Sequence, residues 1–265
     1  MKLHAPIPLG IKVAAASAAV GCIAAIIWRW RTNGSYLRFK TMFGTARVYQ
    51  VDDDEGETVR LLEVGGIVHS GTYLDERYTE LVFEYLKRYD LLFEELAQVR
   101  RVCVLGCGGY DYPEHLIAEH PDTVVDAVEI DPAITAIARR YFFLDRLIEE
   151  YETEQTGQLN LICADALEFL KSTEARYDAI VNDAFDAGSP PTHLTTLEFV
   201  QTIHDRLVPG GLYLTNIVSA LEGPASAFLH QQVDLLRSVF ADVRIEACAA
   251  DEFADEDNVI VIARA

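Results

Sequence analysis

Short apolar segments alternate with amphipathic ones from Arg101 to the last residue, and this alternation restricts the fold more than any other feature. Seven segments have the length and residue content of strands: RVCVLG, TVVDAVEI, LNLIC, YDAIVND, LYLTNIV, VRIEAC and NVIVIARA. Helical patterns such as DPAITAIARRYFF separate them. Strands that are apolar throughout must be covered on both faces. The pattern therefore predicts an α/β, Rossmann-like domain over residues 99–265, with a seven-stranded, mostly parallel sheet.

A smaller unit precedes this domain, over residues 42–98. ARVYQV and TVRLLEV are typical of strands, the polar DDDEGE joins them, and Gly65-Gly66 turns the chain into a third strand, IVHS. The stretch ERYTELVFEYLKRYDLLFEEL then has apolar residues at helical spacing. We expect a small β-unit followed by one helix.

The first 41 residues have the character of a membrane anchor with a basic flank. Val13–Trp28 holds no charged residue, and about 22 residues from Leu9 to Trp30 would span roughly 33 Å as a helix. The basic residues that follow predict a single-pass protein with its body in the cytoplasm. Three alternatives stay open: a cleaved signal peptide, a lipoprotein signal at Cys22, and a dispensable extension ahead of Met42.

The charge of the chain is unevenly distributed. The formal net charge is −20, yet residues 1–50 carry seven basic and no acidic side chains, which leaves 15 basic and 42 acidic ones in the body. A body with this excess of acidic residues repels the phosphate backbone of nucleic acids, so we expect no nucleic-acid partner. The five cysteines include no C-x-x-C pair and no second pair at zinc spacing. We therefore expect a reducing compartment and no metal.

A glycine-rich turn, LGCGGYDYP, follows the first strand of the α/β domain. Gly106, Gly108 and Gly109 allow the backbone to turn sharply and to approach a ligand closely. The dinucleotide pattern G-x-G-x-x-G would need glycine at position 111, where the chain has Asp111. An acid there would repel a pyrophosphate. The turn thus favours a nucleoside without phosphates, such as S-adenosylmethionine, over NAD.

Acids follow the next two strands of the predicted sheet. Glu129 ends the second strand, where a carboxylate can bind both ribose hydroxyls, and Asp131 follows closely. Asp165 and Ala166 follow the third strand, where a carboxylate can meet an adenine amino group. The combination of glycine turn, Glu129 and Asp165 is more specific than any one of them, and we predict that these residues bind the nucleoside.

Two further acids, Asp183 and Asp186, leave the sheet at the end of the fourth strand. Carboxylates beside a nucleoside site could hold and deprotonate an amine, because burial and a neighbouring acid both raise a carboxyl pKa. The alternative is structural: Asp186 caps a turn or helix, and His193 and Thr195 cap the next helix.

The motifs LGCGG, VEIDP, ADALEFL, YDAIVNDAFD with the following PPTHLTT, and LVPGGLYLTNI carry a resemblance. From about Gly44 to Ala265 the chain resembles the spermidine synthase (polyamine aminopropyltransferase) family, and most closely its spermidine-synthase-like branch. The resemblance implies the class I methyltransferase fold with an N-terminal β-unit. It also implies that decarboxylated S-adenosylmethionine donates an aminopropyl group to an amine such as putrescine, and that a homodimer forms.

The resemblance also implies roles for individual residues. Asp183 would accept the proton of the attacking amine, and Asp186 would bind the other end of a diamine. His69 falls where the family has a glutamine, and Tyr78 falls near a substrate-binding tyrosine. These positions complete the predicted substrate site.

Three positions depart from the family pattern. Gly109 takes the place of an acid that lies near the aminopropyl amine of the donor, and only Asp111 could compensate. His69 replaces the family's glutamine, and ALEGPASA replaces a Tyr-Pro-x-Gly stretch. Two other functions therefore stay open. One is a methyltransferase that uses intact S-adenosylmethionine, and the other is a non-catalytic protein that binds a nucleoside or polyamine.

Overall fold

The computed structural model describes residues 36–52, 56–184, 190–248 and 257–265. Its N-terminal part is an antiparallel sheet whose four strands lie in chain order. They are β1 (Leu37–Thr41), β2 (Gly44–Asp52), β3 (Thr58–Val64) and β4 (Ile67–Tyr73). The three predicted strands are present. Residues 37–41, which we had assigned to the basic flank, instead pair with β2 along their whole length, so the β-unit begins before residue 42.

The helical segment after this sheet is shorter than expected and is interrupted. It consists of α1 (Glu84–Lys87), a 3-10 turn (Arg88–Asp90) and α2 (Leu91–Glu95). The prediction of one helix from residue 76 was wrong. Asp75 accepts hydrogen bonds from the backbone and side chain of Arg77, which closes a turn there, and Phe83 is extended with ψ of 131°. Within the described residues, no helix combines the length and apolar character that a bilayer crossing requires.

The predicted seven-stranded sheet is confirmed. In spatial order it runs β10-β11-β9-β8-β5-β6-β7, and the pairs among β5 to β9 are parallel. Strands β10 and β11 are antiparallel to their neighbours. The strands are β5 (Arg101–Leu105), β6 (Val124–Glu129), β7 (Leu159–Cys163), β8 (Tyr177–Asn182), β9 (Leu207–Ser219), β10 (Asp242–Ala247) and β11 (Asp257–Arg264).

Helices cover both faces of this sheet. They are α3 (Asp111–Glu119), α4 (Pro132–Tyr141), α5 (Leu144–Glu150), α6 (Thr153–Thr156), α7 (Ala166–Ser172), α8 (Leu197–Arg206) and α9 (Ala227–Arg237). Alternate residues of β5 divide between two apolar cores: Val102 and Val104 pack with the small sheet, α3 and α4, whereas Cys103 and Leu105 pack with α7, α8 and α9. The small sheet therefore extends one of the two cores.

The order of the strands fixes where a ligand can bind. From β5 the chain moves outward through β6 to β7, then returns to place β8 on the other side of β5. A crevice opens at the carboxyl ends of strands where such a reversal occurs. The ends of β5, β6, β7 and β8 are Leu105, Glu129, Cys163 and Asn182, so the predicted nucleoside-binding residues and Asp183 lie at this edge.

At the opposite end of the sheet, Asp126 holds the strands together. This buried β6 carboxylate accepts hydrogen bonds from Arg101, Asn160 and Tyr177, and its Oδ2 lies 2.8 Å from the Tyr177 hydroxyl. A charge this deep is tolerated because it is fully paired. This cluster stabilises the sheet at the end opposite the candidate site, and Asp126 therefore serves as a buried carboxylate with which those of the site can be compared.

Candidate active site

Gly106 brings the glycine turn directly against the chain that leaves β8. Its φ is +78°, and a Cβ built on it would lie 2.6 Å from the Cα of Ala184. The Gly106 amide donates to the carbonyl of Val128, and the Asp183 amide donates to that of Leu105, both at 2.9 Å. No residue with a side chain fits at position 106, and the two strand ends are held in contact.

Gly108 and Gly109 pack against the small sheet. A Cβ on Gly108 would lie 2.6 Å from Ser70 Oγ, and the Gly109 amide donates to that same oxygen at 2.6 Å. Ser70 lies on β4 and is 1% exposed. The β-unit therefore forms one wall of the glycine turn.

Asp183, the predicted proton acceptor, lies directly after β8 in a polar cluster. Its Oδ2 accepts a hydrogen bond from the Tyr85 hydroxyl at 3.0 Å, and its Oδ1 accepts one from Asn216 Nδ2 at 3.1 Å. Burial raises the pKa of Asp183, and these two hydrogen bonds lower it by a smaller amount. A carboxylate with a raised pKa is a stronger base than one in water.

Tyr89 and His69 supply polar atoms without a protein partner. The Tyr89 hydroxyl is close enough to Asp183 to interact with its charge, but among the described residues it makes no hydrogen bond of normal geometry. Nε2 of His69 is also buried and unpartnered among them. His69 adjoins the glycine turn, since a Cβ on Gly108 would lie 3.5 Å from its carbonyl oxygen. Buried polar atoms without partners are suited to receive a polar ligand.

Two more acids lie at the start of α3. Asp111 Oδ2 accepts a hydrogen bond from the Gly71 amide at 2.9 Å, and burial, with a contribution from the charge of Asp183, raises the pKa of Asp111 to about 7. Glu114, one turn later, is 1% exposed, and its Oε1 has no hydrogen-bond partner among the described residues. Burial, and then the charge of Asp111, raises the pKa of Glu114 well above its usual range.

Glu129 lies at the end of β6, where the sequence placed it. Its Oε2 accepts hydrogen bonds from the amides of Cys107 and Gly108, at 3.1 and 3.3 Å, and its Oε1 accepts one from Asp131. Burial raises its pKa, and the three amides oppose that rise. Glu129 thus fixes the glycine turn and places a carboxylate beside it.

Asp131 has a structural task that the sequence analysis did not anticipate. It is 1% exposed and caps α4, because its Oδ1 accepts the Ala133 amide at 2.8 Å. Its Oδ2 accepts the Met42 amide. Both oxygens therefore bind backbone, which joins the β-unit to α4.

Asp165 and Ala166 lie at the end of β7 and at the first position of α7. Asp165 Oδ1 caps that helix through the amides of Leu167 and Glu168, and its Oδ2 lies 2.7 Å from His193 Nε2. Partial burial alone would raise the pKa of Asp165, but the Glu168 amide and His193 outweigh it and the pKa lies below its usual value. The helix after His193 is capped by Thr196, so the prediction of a cap by His193 and Thr195 was wrong.

Tyr78 is a predicted substrate residue whose hydroxyl binds away from Asp183. The Tyr78 hydroxyl donates to Glu150 at 2.9 Å, and the Arg146 guanidinium lies 4.3 Å over its ring. The tyrosine that does reach Asp183 is Tyr85. Asp186 lies outside the described residues.

Sequence reasoning missed four contributors: Tyr85, Tyr89, Glu114 and Asn216. Tyr85 and Tyr89 are four residues apart, which gave a signal, because such a pair shares one face of a helix. Nothing local marked Glu114, which is buried by the fold, or Asn216, whose partners are distant in the chain.

A family model described as the spermine/spermidine synthase domain matches residues 84–256. The chain belongs to this family. Its similarity to individual proteins is moderate. It is 28% identical over 183 residues to a polyamine aminopropyltransferase of Vibrio vulnificus, covering 67% of this chain and 56% of that one. It is 33% identical over 208 residues to the enzyme so named from Thermococcus kodakarensis, covering 70% and 65%.

The fold agrees with this membership. A probable spermidine synthase from Corynebacterium glutamicum superposes with a TM-score of 0.70 at 22% identity, covering 86% of this chain and 79% of that one. The class I methyltransferase-like fold implied by the resemblance is thereby confirmed. The chain nevertheless spans only 56% and 61% of the lengths of the first two curated relatives it matches, those of Vibrio vulnificus and Chromobacterium violaceum.

Proposed function

We propose that the chain transfers an aminopropyl group from decarboxylated S-adenosylmethionine to an amine such as putrescine. The observation that carries this proposal is Asp183. It is a carboxylate with a raised pKa at the switch point of the sheet, oriented by Tyr85 and Asn216 and held against the glycine turn. The names of the relatives, polyamine aminopropyltransferases, point to the same reaction.

In the proposed reaction, the amine nitrogen of the acceptor attacks the donor carbon next to the sulfonium. A carbon–nitrogen bond forms, the carbon–sulfur bond breaks, and a neutral thioether nucleoside leaves. The amine must lose a proton to become or remain a nucleophile, and Asp183 would accept it. The hydrogen bonds from Tyr85 and Asn216 keep the carboxylate ionised and oriented for that step.

The nucleoside of the donor fits the ends of β6 and β7. Glu129 holds a carboxylate next to the glycine turn, where it can accept from ribose hydroxyls, and Asp165 holds one at the start of α7. Gly106, Gly108 and Gly109 let the turn pack against Ala184 and Ser70, which shapes the edge of the sheet at which the nucleoside would bind. No phosphate is needed, which agrees with the acidity of Asp111 and Glu114 nearby.

A cationic acceptor fits the electrostatics of the other half of the site. Asp111, Glu114 and Asp183 are three acids close enough for Asp111 to interact with each of the others. A bound diamine would favour the ionised forms of these acids, which would then balance part of its positive charge, and the Tyr89 hydroxyl and His69 Nε2 could bind its amino groups or those of the donor. The acidic body attracts such a ligand from solution.

A methyltransferase that uses intact S-adenosylmethionine is the second candidate, and one observation favours it. The family's acid near the donor amine is Gly109 here, and the carboxylate that could replace it, Asp111, accepts a hydrogen bond from the Gly71 amide instead. Without that acid, the site would repel the carboxylate of the intact donor less.

The deciding experiment uses the purified full-length chain with each donor in turn and with putrescine, and identifies products by mass spectrometry. Aminopropyl transfer that is lost in Asp183→Asn, with an unchanged circular dichroism spectrum, supports the first function. Methyl transfer alone supports the second. Nucleoside binding without turnover by either donor would contradict both and leave a binding protein.

The proposed location is the cytoplasmic face of a membrane, with residues 9–30 as the single span. These residues lie outside those described, so the proposal depends on their sequence: an uncharged stretch followed by basic residues. Fusing a reporter after residue 41 and fractionating cells tests it. A reporter found in the soluble fraction would reject the span. The homodimer that the family resemblance implies stays a prediction, and light scattering would test it.

A further inference from the structure

Asp90, His115 and His120, none of which has a part in the proposed reaction, bring three metal-ligating side chains together. Taking one ligand atom from each, all of these atoms lie within 4.8 Å of one another. Asp90 Oδ2 lies 2.9 Å from His115 Nε2. All three side chains are half-buried, so an ion could enter from solvent.

The trio is built from two separate elements. Asp90 ends the 3-10 turn between α1 and α2, whereas His115 lies within α3 and His120 is its C-terminal cap residue. Asp90 is 25 residues from His115 in the chain, so only folding creates the cluster. The cysteine spacing predicts no metal, but it bears only on ligands that are close in sequence.

The chemistry of the trio suits a first-row transition ion. Two imidazoles and one carboxylate form a familiar ligand set for Zn²⁺ with an open fourth position for water. Ligand atoms about 2.0 to 2.1 Å from a tetrahedral ion lie roughly 3.3 Å apart, so the Asp90–His115 contact would widen by about 0.4 Å.

A second shell supports the carboxylate. The Tyr112 hydroxyl donates to Asp90 Oδ1 at 3.2 Å, on the oxygen that does not contact His115. Such outer partners orient metal ligands and tune their affinity. Glu119 is exposed and close enough to His120 to interact with its charge, so it could contribute the fourth ligand in place of water.

We propose that Asp90, His115 and His120 bind one divalent transition-metal ion, with Zn²⁺ as the best fit, and that the ion fastens the segment 84–95 to α3. The competing interpretation is a plain Asp90–His115 ion pair, with His120 stacked on the Phe93 ring for packing alone. The two interpretations differ in one measurable respect, which is the affinity for the metal itself.

The test adds Zn²⁺ or Co²⁺ to the full-length chain after chelation and dialysis. We expect one equivalent of Zn²⁺ by titration calorimetry, a visible Co²⁺ absorption band typical of four-coordination, and a higher thermal midpoint with Zn²⁺. His115→Gln and the double variant His115→Gln/His120→Gln should weaken binding at least 100-fold and remove both signals.

His204→Gln is the matched control, since His204 is a half-buried histidine of α8 next to a carboxylate, Asp205. It should keep the full stoichiometry, affinity and Co²⁺ band. Equal binding by the double variant would place the ion elsewhere and overturn the proposal. Failure of the folded wild type to bind Zn²⁺ at 100 μM would overturn it in favour of the plain ion pair. Both readouts are independent of catalytic activity and so of the proposed function.

Discussion

The Tyr85 hydroxyl donates a 3.0 Å hydrogen bond to Oδ2 of Asp183, across 98 residues of chain. Tyr85 lies on the short helix that follows the small sheet, and Asp183 follows the fourth strand of the α/β domain in sequence. The proposed base is therefore oriented by a different part of the fold from the one that carries it. This arrangement ties the proton-accepting group to the docking of the helical segment 84–95.

Tyr85→Phe should lower turnover at pH 7 about tenfold. A hydrogen bond to a charged group contributes about 1.5 kcal/mol, which is about one factor of ten in rate. The Tyr85 hydroxyl lowers the pKa of Asp183, so its loss raises that pKa further. Since the base must be ionised, the acid limb of the kcat/KM profile should move to higher pH. Steady-state kinetics from pH 5 to 9 measures both effects.

Tyr177→Phe is the control for this variant. Tyr177 also donates to a buried carboxylate, Asp126, but at the opposite end of the sheet. It should lower the free energy of unfolding while leaving the pH profile in place. An identical profile for Tyr85→Phe and wild type would show that the Tyr85 hydrogen bond does not act on the base.

Asp111 should make the protein less stable as the pH rises. Its pKa is about 7 in the folded protein and near 3.9 in the unfolded chain, so the folded state binds the proton more tightly. The resulting stabilisation is complete below about pH 4 and is lost as the pH rises through about 7. Between pH 4 and 8, the free energy of unfolding of the wild type should fall by on the order of 4 kcal/mol relative to that of Asp111→Asn.

Urea unfolding of both proteins at pH 4, 6 and 8 measures this difference. Asp145→Asn serves as the reference, because it removes an equal charge from an exposed ion pair with Arg139. When the free energy of unfolding is plotted against pH, Asp145→Asn should run parallel to the wild type. If the free energy of unfolding of the wild type instead ran parallel to that of Asp111→Asn across this pH range, Asp111 would ionise as readily in the folded protein as in the unfolded one.

Gly106→Ala should damage both stability and activity. The new methyl would lie 2.6 Å from the Cα of Ala184, so the chain after β8, including Asp183, must move. Gly210 is the matched position, because its φ is +79° but nothing lies within 4 Å of an added Cβ. Gly210→Ala should cost about 1 to 2 kcal/mol for the left-handed backbone.

Gly106→Ala should lower the free energy of unfolding by about 1 to 3 kcal/mol more than Gly210→Ala does, because the added methyl overpacks the turn. It should also abolish turnover. Thermal or urea unfolding and a product assay distinguish the two variants. Equal losses of stability in both would show that backbone conformation alone, without the close approach to Ala184, explains the glycine.

Asp165→Ala should raise the KM for the nucleoside donor about tenfold or more, beyond its effect on stability. Asp165 caps α7 and is proposed to bind the nucleoside, whereas Thr196 caps α8 and has no proposed role in binding. Either alanine variant should lose about 1 kcal/mol as the cap disappears. Only Asp165→Ala should change the KM. The same KM in Asp165→Ala and Thr196→Ala would limit Asp165 to its capping role.

The α/β domain was predictable because each of its strands and helices has its own period in the sequence. Glu129, Asp165 and Asp183 could be placed from sequence because parallel strands end at one edge. The hydrogen bond between Tyr85 and Asp183, and the one from the Met42 amide to Asp131, could not. Both depend on how the small unit docks, and no local pattern encodes that. The interrupted helix after residue 76 was missed because a side-chain turn at Asp75 outweighs helical spacing.

Ser70 accepts the Gly109 amide at 2.6 Å, and this one contact limits how the protein can be divided. A crossover graft of residues 99–265 onto another N-terminal sheet would keep the glycine sequence but lose the surface against which the turn is shaped. A hybrid protein that combines the small sheet of one chain with the α/β domain of another would therefore need a small hydroxyl residue on β4 as well as the glycines. Exchange of the α/β half alone would give a protein that folds but binds its nucleoside poorly.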